Sequence, residues 1–410
     1  MQNYDIAIIG GGLAGLTQSI LLAQEGFNTI CIDREEPASQ LDKSYDTRTT
    51  AISWGSRNVL RRAGIWAVME AKSCAIRDIK IMDGGSPFVL SFLSQDVEDR
   101  EFGWIVDNHD LRVALHQKAS HQENLTHVTG DAVIMFHVKQ THVVLNTASG
   151  TEVSATLVLG CDGRGSKTRE FMNIGTWGHN YGQTAIVCVV THEKPHNHTA
   201  VEHFLPDGPF ASLPMMDDAK GQHRSAIVWS IHGGHAQPYL NCAEDVFNQH
   251  IKGLYQGRFG EAKLLGKRAG WPLSIKMAYS YVAPRMAIMA EAAHGIHPIA
   301  GQGLNISLRD CAAMTEILCK ARDNGITDWG HADILQEYQR NRRMDNTMMG
   351  LAMEGFNGLF SNNHPISKGA RRFGLRVINK LPRFKRFFMT QAMGTVGHVP
   401  EMVKHHKKQG

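Results

Sequence analysis

The strongest constraint on the fold lies in the first thirty-three residues. Tyr4 to Ile9 (YDIAII) is a short apolar run with β-branched residues, the pattern of a buried strand. Gly10, Gly11 and Gly12 follow, and Leu13 to Gln24 carries small and apolar residues at helical spacing. Gly26 supplies a C-cap, and Asn28 to Ile32 is a second strand with Asp33 at its end. The segment is the opening βαβ unit of an α/β fold.

Its glycines fall as G-x-G-x-x-G at Gly10, Gly12 and Gly15. One permits the tight turn, one lets the backbone approach a pyrophosphate, and the third lets helix and strand pack closely. The helix start offers unpaired N–H groups to phosphate. Asp33, 18 residues after Gly15, stands where a carboxylate accepts hydrogen bonds from a ribose. The unit predicts a dinucleotide site. A fingerprint this near the chain start points to FAD. Gly163-Arg164-Gly165 and Gly301-Gln302-Gly303 lack the third glycine and the strand–helix register, so a second, nicotinamide-binding domain is not expected. NADH or NADPH, if used, visits a site shared with the flavin domain.

Two further clusters carry the argument on. In Thr156 to Arg169 (TLVLGCDGRGSKTR), Leu157 to Gly160 reads as a strand, Asp162-Gly163 as a turn and Ser166 as a helix cap. Taken alone, it is an ordinary Asp-Gly turn. In Met286 to Asp310, Ala287 to Ala290 reads as a strand ending at Glu291. A loop with Pro298, Gly301 and Gly303 then leads into a helix near Leu304. Glycines before a helix form an amide nest for negative charge.

In this order and spacing the three clusters resemble the class A flavoprotein aromatic hydroxylases, and most of all the ubiquinone-biosynthesis hydroxylase family, from Tyr4 to about Pro400. Asp46 to Ile52 (DTRTTAI), with Ser53 and Gly55-Ser56, resembles the family's D-x-R-x-x-A-L-x-x-x-S element. Asp162-Gly163 resembles its D-G motif, and His297-Pro298 through Asn305 its H-P-x-x-G-Q-G-L-N loop. The resemblance implies a cofactor-contacting set of Gly10, Gly12, Leu13, Ala14, Gly15, Asp33, Arg34, Arg48, Asn108, Asp162, Gly163, Glu291, Pro298, Gly301, Gly303, Leu304 and Asn305. Pro298 and Gly301 are expected nearest the flavin ring. One departure stands out. The family has Gly-Asp where this chain has Ala290-Glu291, which bears on the local backbone path and on FAD affinity.

The resemblance implies a Rossmann-like FAD-binding domain with an inserted, mainly antiparallel β substrate domain and a C-terminal helical segment. The expected boundaries are 1–75, 96–180 and 273–345 for the FAD domain, 76–95 and 181–272 for the insert, and 346–410 for the basic C-terminal part. The implied reaction is ring hydroxylation of a polyprenylated phenol in ubiquinone biosynthesis, with FAD, NADH or NADPH, and molecular oxygen, through a C4a-hydroperoxyflavin. The flavin carries that chemistry, so no protein nucleophile is required. A group favouring phenolate would help, but no residue can be named for it from sequence. His294 and His297 read as structural. Two alternatives stay open: another FAD oxidoreductase of the same fold, and a non-catalytic FAD-binding assembly factor of the same pathway.

Within 181–272, Gln183–Thr191, Thr199–Leu205 and Ser225–Ile231 read as strands of an antiparallel sheet. Phe204, Phe210, Met215, Met216 and Trp229 are candidates for an apolar pocket, each more simply read as core. The 22 histidines lack supporting ligand spacing, so no metal is expected. The seven cysteines are scattered without a C-x-x-C pair, which argues for a reducing compartment. With no signal peptide or membrane span read from the sequence, a cytoplasmic protein is expected. The net charge of +4 conceals a basic end: from His364 onward there are eleven Lys/Arg against one acid, Glu401. That local excess gives no nucleic-acid signature. Within it, ARRFGLRVINKLPRFKRFF interleaves apolar and basic residues, a pattern suited to the inner membrane face or to a helix pair packed on the FAD domain.

Overall fold

The computed structural model describes residues 2–84, 86, 88–97, 99–296, 301–360, 381, 385–386, 389–390, 392–395 and 399–404. Strand Gln2–Ile9 is buried along its second half and runs parallel to Thr29–Ile32 on one side and Glu152–Gly160 on the other. Leu125–Val128 and Met286–Ile288 extend this parallel sheet at either side. The crossover from first to second strand is helix Leu13–Gln24, buried at every residue from Gly15 to Ala23. It is apolar nearly all round because helices Asn108–Ser120 and Gln302–Asp323 cover the sides that the sheet does not. Gly26 follows at φ +88° and ends the helix, its N–H bonded to Ala23 O.

A second, eight-stranded sheet stands beside the first. Its order is His294–Gly295, Ala262–Ala278, Thr176–His192, His223–His232, Gly208–Met215, Thr199–Leu205, Asp78–Asp83 and Val89–Leu93. Only Thr199–Leu205 and Asp78–Asp83 pair in parallel. The expected antiparallel β unit is therefore present, and Asp78–Asp83 and Val89–Leu93 form its far edge. Thr176–His192 and Ala262–Ala278 are unbroken 17-residue strands running through 180/181 and 272/273. Helices Gly233–Asn241 and Glu244–Tyr255 accompany the sheet in a region read as mainly antiparallel β.

Period-two alternation divides the second sheet into two apolar faces. Ile186, Cys188, Val190, Phe210, Ile227 and Trp229 pack beneath the two helices with Phe247, Ile251 and Tyr255. Ala185, Val187, Ala211 and Val228 face the opposite way, into a cavity. Of the five pocket candidates, Phe204 lines that cavity. Phe210 and Trp229 belong to the helix-covered core, Met215 is buried, and Met216 is exposed. A three-stranded sheet of Thr49–Ser53, Gly103–Asp107 and Cys74–Ile76 touches both sides, Thr49–Ser53 packing on helix Gln302–Asp323 and the other two strands on Gly208–Met215.

Helix Ala332–Phe360 leads to the C-terminal part, where most of the basic amphipathic segment lies outside the described residues. Farther on, the chain returns to the FAD-side core. Gly55 N–H donates to Met393 O at 3.0 Å, and Asn58 Nδ2 to Val403 O at 3.1 Å. Val403 is fully buried. Among the described residues no helix is long and apolar enough to cross a membrane, and the seven cysteines are free.

Candidate active site

The three fingerprint glycines do different work. Gly10 has φ +101°, and a Cβ there would sit 2.7 Å from Cys161 O, so both turn geometry and the neighbouring strand require glycine. Gly12 precedes helix Leu13–Gln24 and has open space where a side chain would be. No side chain caps that helix start, so its amides remain available to an anion. Gly15 is buried, and its Cβ would lie 1.9 Å from Gly10 O. Gly15 does not line the cavity and brings the helix against the turn. Asp33 ties this loop to the next strand. Its Oδ2 accepts from Gly11 N–H at 2.5 Å and its Oδ1 from Glu35 N–H at 2.8 Å.

Asp46 grips Arg48 through both carboxylate oxygens, each at 2.8 Å from a guanidinium nitrogen. Asn108 Nδ2 donates to the same carboxylate at 3.0 Å and its Oδ1 accepts from Thr50 Oγ1 at 2.5 Å. Burial acts to raise the Asp46 carboxyl, but Arg48 and Asn108 outweigh it and hold the group below the usual carboxylate range. The guanidinium of Arg48 also lies 4.4 Å from the Trp271 ring centroid, bridging to the second sheet.

The Asp162 carboxylate turns back into its own segment. It accepts from Ser166 Oγ at 2.5 Å, Thr168 N–H at 3.0 Å and Thr168 Oγ1 at 3.1 Å. Ser166 caps helix Lys167–Phe171 as expected, accepting from Arg169 N–H at 2.9 Å. What Asp162-Gly163 presents to the cavity is thus mostly backbone, with Gly163 at φ +79°. Asn305 is similarly committed. Its amide donates to Ala51 O at 2.8 Å and Gly301 O at 3.0 Å and accepts from Ser53 N–H at 2.9 Å, clipping strand Thr49–Ser53 to helix Gln302–Asp323. Gly301 at φ +63° precedes that helix, again with no side-chain cap.

The Ala290-Glu291 departure has a structural answer. Ala290 adopts φ +54°, the left-handed conformation that favours glycine. Its N–H is held at 3.0 Å by Asp310 Oδ2, which also bonds His294 Nε2 at 2.6 Å. Asp310 Oδ1 accepts from Arg342 Nε at 2.8 Å and Asn346 Nδ2 at 3.1 Å. Both ionic side chains are 0% exposed. Burial acts to raise the Asp310 carboxyl, yet His294 and Arg342 drive it far below the ordinary range. Sequence reasoning missed this cluster. A usable signal was the spacing of Leu335, Tyr338, Arg342, Asn346 and Met349 along one buried helix face. His294 is structural, as expected.

One cavity of about 1590 Å³ joins these parts. It is lined by Gly10, Gly12, Leu13, Ala14, Asp33, Arg34, Arg48, Asn108, Asp162, Gly163, Glu291, Gly301, Gly303, Leu304 and Asn305. His297 and Pro298 lie outside the described residues. The cavity continues over the apolar face of the second sheet, past Ile81, Leu90, Phe92, Phe204 and Leu213. Small-molecule pockets span roughly 300–1,000 Å³, so this one has room for a dinucleotide and a second molecule. The open space at Gly12 and two uncapped helix starts fit the phosphates and polar ring edge of a flavin dinucleotide.

Comparison with known proteins agrees. The family model described as "FAD binding domain" matches residues 3–349. The chain is 36% identical to ubiquinone hydroxylase UbiL of Rhodospirillum rubrum, covering 97% of this chain and 91% of that protein. It is 31% identical to 3-demethoxyubiquinol 3-hydroxylase of Escherichia coli, covering 96% and 99%. Among solved structures, p-nitrophenol 4-monooxygenase PnpA of Pseudomonas putida superposes with a TM-score of 0.79 at 14% identity, over 97% of this chain and all of that one.

Proposed function

Because the chain belongs to the ubiquinone-biosynthesis hydroxylase family of FAD-dependent aromatic monooxygenases, we propose that it hydroxylates the ring of a polyprenylated phenol, with NADH or NADPH as electron donor and molecular oxygen as co-substrate. The observation that carries this reading is one continuous cavity that runs from both glycine-lined helix starts onto an apolar sheet face. FAD, when bound, supplies the redox and oxygen-activating chemistry. The chain's own residues hold and screen it. Amides at Gly12–Ala14 receive the pyrophosphate and Asp33 the ribose. Arg48, fixed by Asp46, and the amides following Gly301 border the ring end. The sheet face beyond it is lined by Ile81, Phe92, Phe204 and Leu213, which bind an apolar ring and exclude water from it.

The basic segment after residue 364 is the natural contact with an anionic membrane in which such a substrate dissolves. Full-length protein with Arg371, Arg372 and Arg376 changed to Gln should co-sediment less with anionic liposomes than the unmodified chain. Equal sedimentation would remove the membrane contact from the proposal. The activity itself is tested with purified protein. It should carry FAD, bleach anaerobically with NAD(P)H, and in oxygen convert 2-prenylphenol to a product one oxygen atom heavier. A colourless protein that refuses FAD would overturn the assignment, and a yellow one that is never reduced would favour the assembly-factor reading.

A further inference from the structure

Strand Thr199–Leu205 sends Ala200, Glu202 and Phe204 to the same face, and all three line the cavity. Glu202 lies in register with Ile81 on one neighbouring strand and Ala211 on the other. Val228 and Val187 continue that row across the sheet. A carboxylate therefore sits in the middle of an apolar wall. Of the second-sheet residues described around the cavity, it is the only charged one. Its carboxylate makes no hydrogen bond or ion pair with any described residue. An unpaired carboxylate on an apolar wall is unfavourable for folding, and it is retained where a ligand's donor can meet it.

We propose that Glu202 is the group that receives the ring hydroxyl of the substrate and takes its proton; this rests on the hydroxylase reading above. The proton passes from the phenolic oxygen to a Glu202 carboxylate oxygen, leaving a phenolate and a neutral carboxylic acid. No electrons move in this step. The phenolate is the more electron-rich ring, which is the form that attacks an electrophilic oxygen. When the hydroxylated dienone regains its aromaticity, the new C–OH carbon loses its hydrogen as a proton and the carbonyl oxygen gains one, which Glu202 is placed to return.

The surroundings suit that role. Burial alone pushes the Glu202 carboxyl up to about 7, with no cation countering it. A base with that affinity is matched to work near neutral pH. The titratable groups around it are few. On the adjoining strand Asp83 stands beside Phe204 and does not line the cavity. His203 is on the opposite face, bonded through Nε2 to Gly84 O at 2.9 Å. The remaining strands of that row present Ala211, Val228 and Val187, and helix Ala332–Phe360 presents Met349 and Met353. On the flavin side, Arg48, already paired with Asp46, and Glu291 line the same cavity.

The test compares wild type and Glu202→Gln, which keeps size and polarity but cannot accept the proton, using 2-prenylphenol. Retained FAD in the purified variant reports folding. The expected result is a fall in hydroxylation rate on the order of 100-fold. The wild-type rate should rise with pH through a limb near 7. The variant should lose that limb and climb only toward the phenol's own ionisation near ~10. Should Glu202→Gln lose FAD, the wild-type limb and the less disruptive Glu202→Asp, expected to retain the limb, decide the matter. A variant with wild-type rate and pH profile overturns the role of Glu202 while leaving the hydroxylase reading intact. A wild type that reduces its flavin but hydroxylates no prenylated phenol or quinol overturns the hydroxylase reading itself.

Discussion

Gly12→Ala and Gly15→Ala each add one methyl group within a single turn, yet they should separate cofactor binding from folding. At Gly15 the new Cβ would lie 1.9 Å from Gly10 O and 3.2 Å from Cys161 Cβ. Ordinary contact is about 3.5 Å, so helix and turn must part by roughly 1.5 Å. Overpacking of this kind costs about 1–3 kcal/mol, and because Gly15 lies in the first turn it recovers little of the helix-interior advantage of alanine, so a net loss remains. Gly12 has φ −69° and ψ −174°, which alanine adopts freely, and nothing within 4 Å of the added atom. Its apo-protein stability should change by less than about 0.5 kcal/mol. The methyl instead stands in the space through which phosphate reaches the helix amides, and FAD affinity should fall at least ~10-fold, or ~1.4 kcal/mol. Thermal unfolding of the apo-proteins and titration with FAD give both quantities. An unchanged FAD affinity in Gly12→Ala, or an unchanged melting temperature in Gly15→Ala, would refute the division of roles between the two glycines.

Three other substitutions probe the remainder of the site. Ala290→Gly should relieve a left-handed conformation that costs a residue with a side chain about 1 kcal/mol, raising the melting temperature without weakening FAD; a lower melting temperature would show Ala290 to be unstrained. Asp310→Asn removes the fully buried carboxylate from Arg342, leaving the guanidinium only the partly exposed Asp345, and should cost ~3–5 kcal/mol at pH 7. Because the Asp310 carboxyl is depressed in the fold, that contribution is present above about pH 4 and lost as pH falls toward the folded value, so wild type and variant should converge in acid. Glu202 has the opposite sign. Raised from 4.5 to about 7, it is harmless below pH 4.5 and costs the apo-protein up to ~3 kcal/mol above pH 7. Glu202→Gln should therefore melt higher than wild type at pH 8 and at the same temperature at pH 4.5, as followed by calorimetry.

Where backbone geometry admits one residue type, the sequence was readable. Gly10 and Gly301 take positive φ, and the helix between Leu13 and Gln24 begins and ends where its flanking glycines place it. Strand Ala262–Ala278 was not readable, because Gly266, Gly270, Pro272 and four basic residues argue against a strand. Ladder pairing along nearly the whole of Thr176–His192 overrides those local preferences. Helix Gly233–Asn241 was hidden by Pro238 within it. Glu202 was invisible for a different reason. Its strand pairs Val201 and His203 on one face with Ala200 and Phe204 on the other, both largely buried, so alternation cannot say which one looks into the cavity. For Asp162 and Asn305 the motif names the residue but not its work, since both side chains bond backbone groups around the cavity.

The Ala290 position shows how the flavin-side loop can keep its course without glycine. Left alone, an alanine would leave the left-handed region at small cost, and the segment from Ala290 to His294 would move with it. Asp310 opposes that motion at both ends, accepting from Ala290 N–H and from His294 Nε2 through one oxygen. Its other oxygen is fixed by Arg342 and Asn346 on helix Ala332–Phe360, and Arg342 is fixed in turn by Asp345 at 2.8 Å. A buried ion pair contributes little net stability, because desolvation offsets most of its attraction. What this pair contributes is position. It joins the end of strand Met286–Ile288, helix Gln302–Asp323 and helix Ala332–Phe360 at one carboxylate, so Glu291 and the uncapped helix start after Gly301 are held in one frame on the same side of the cavity.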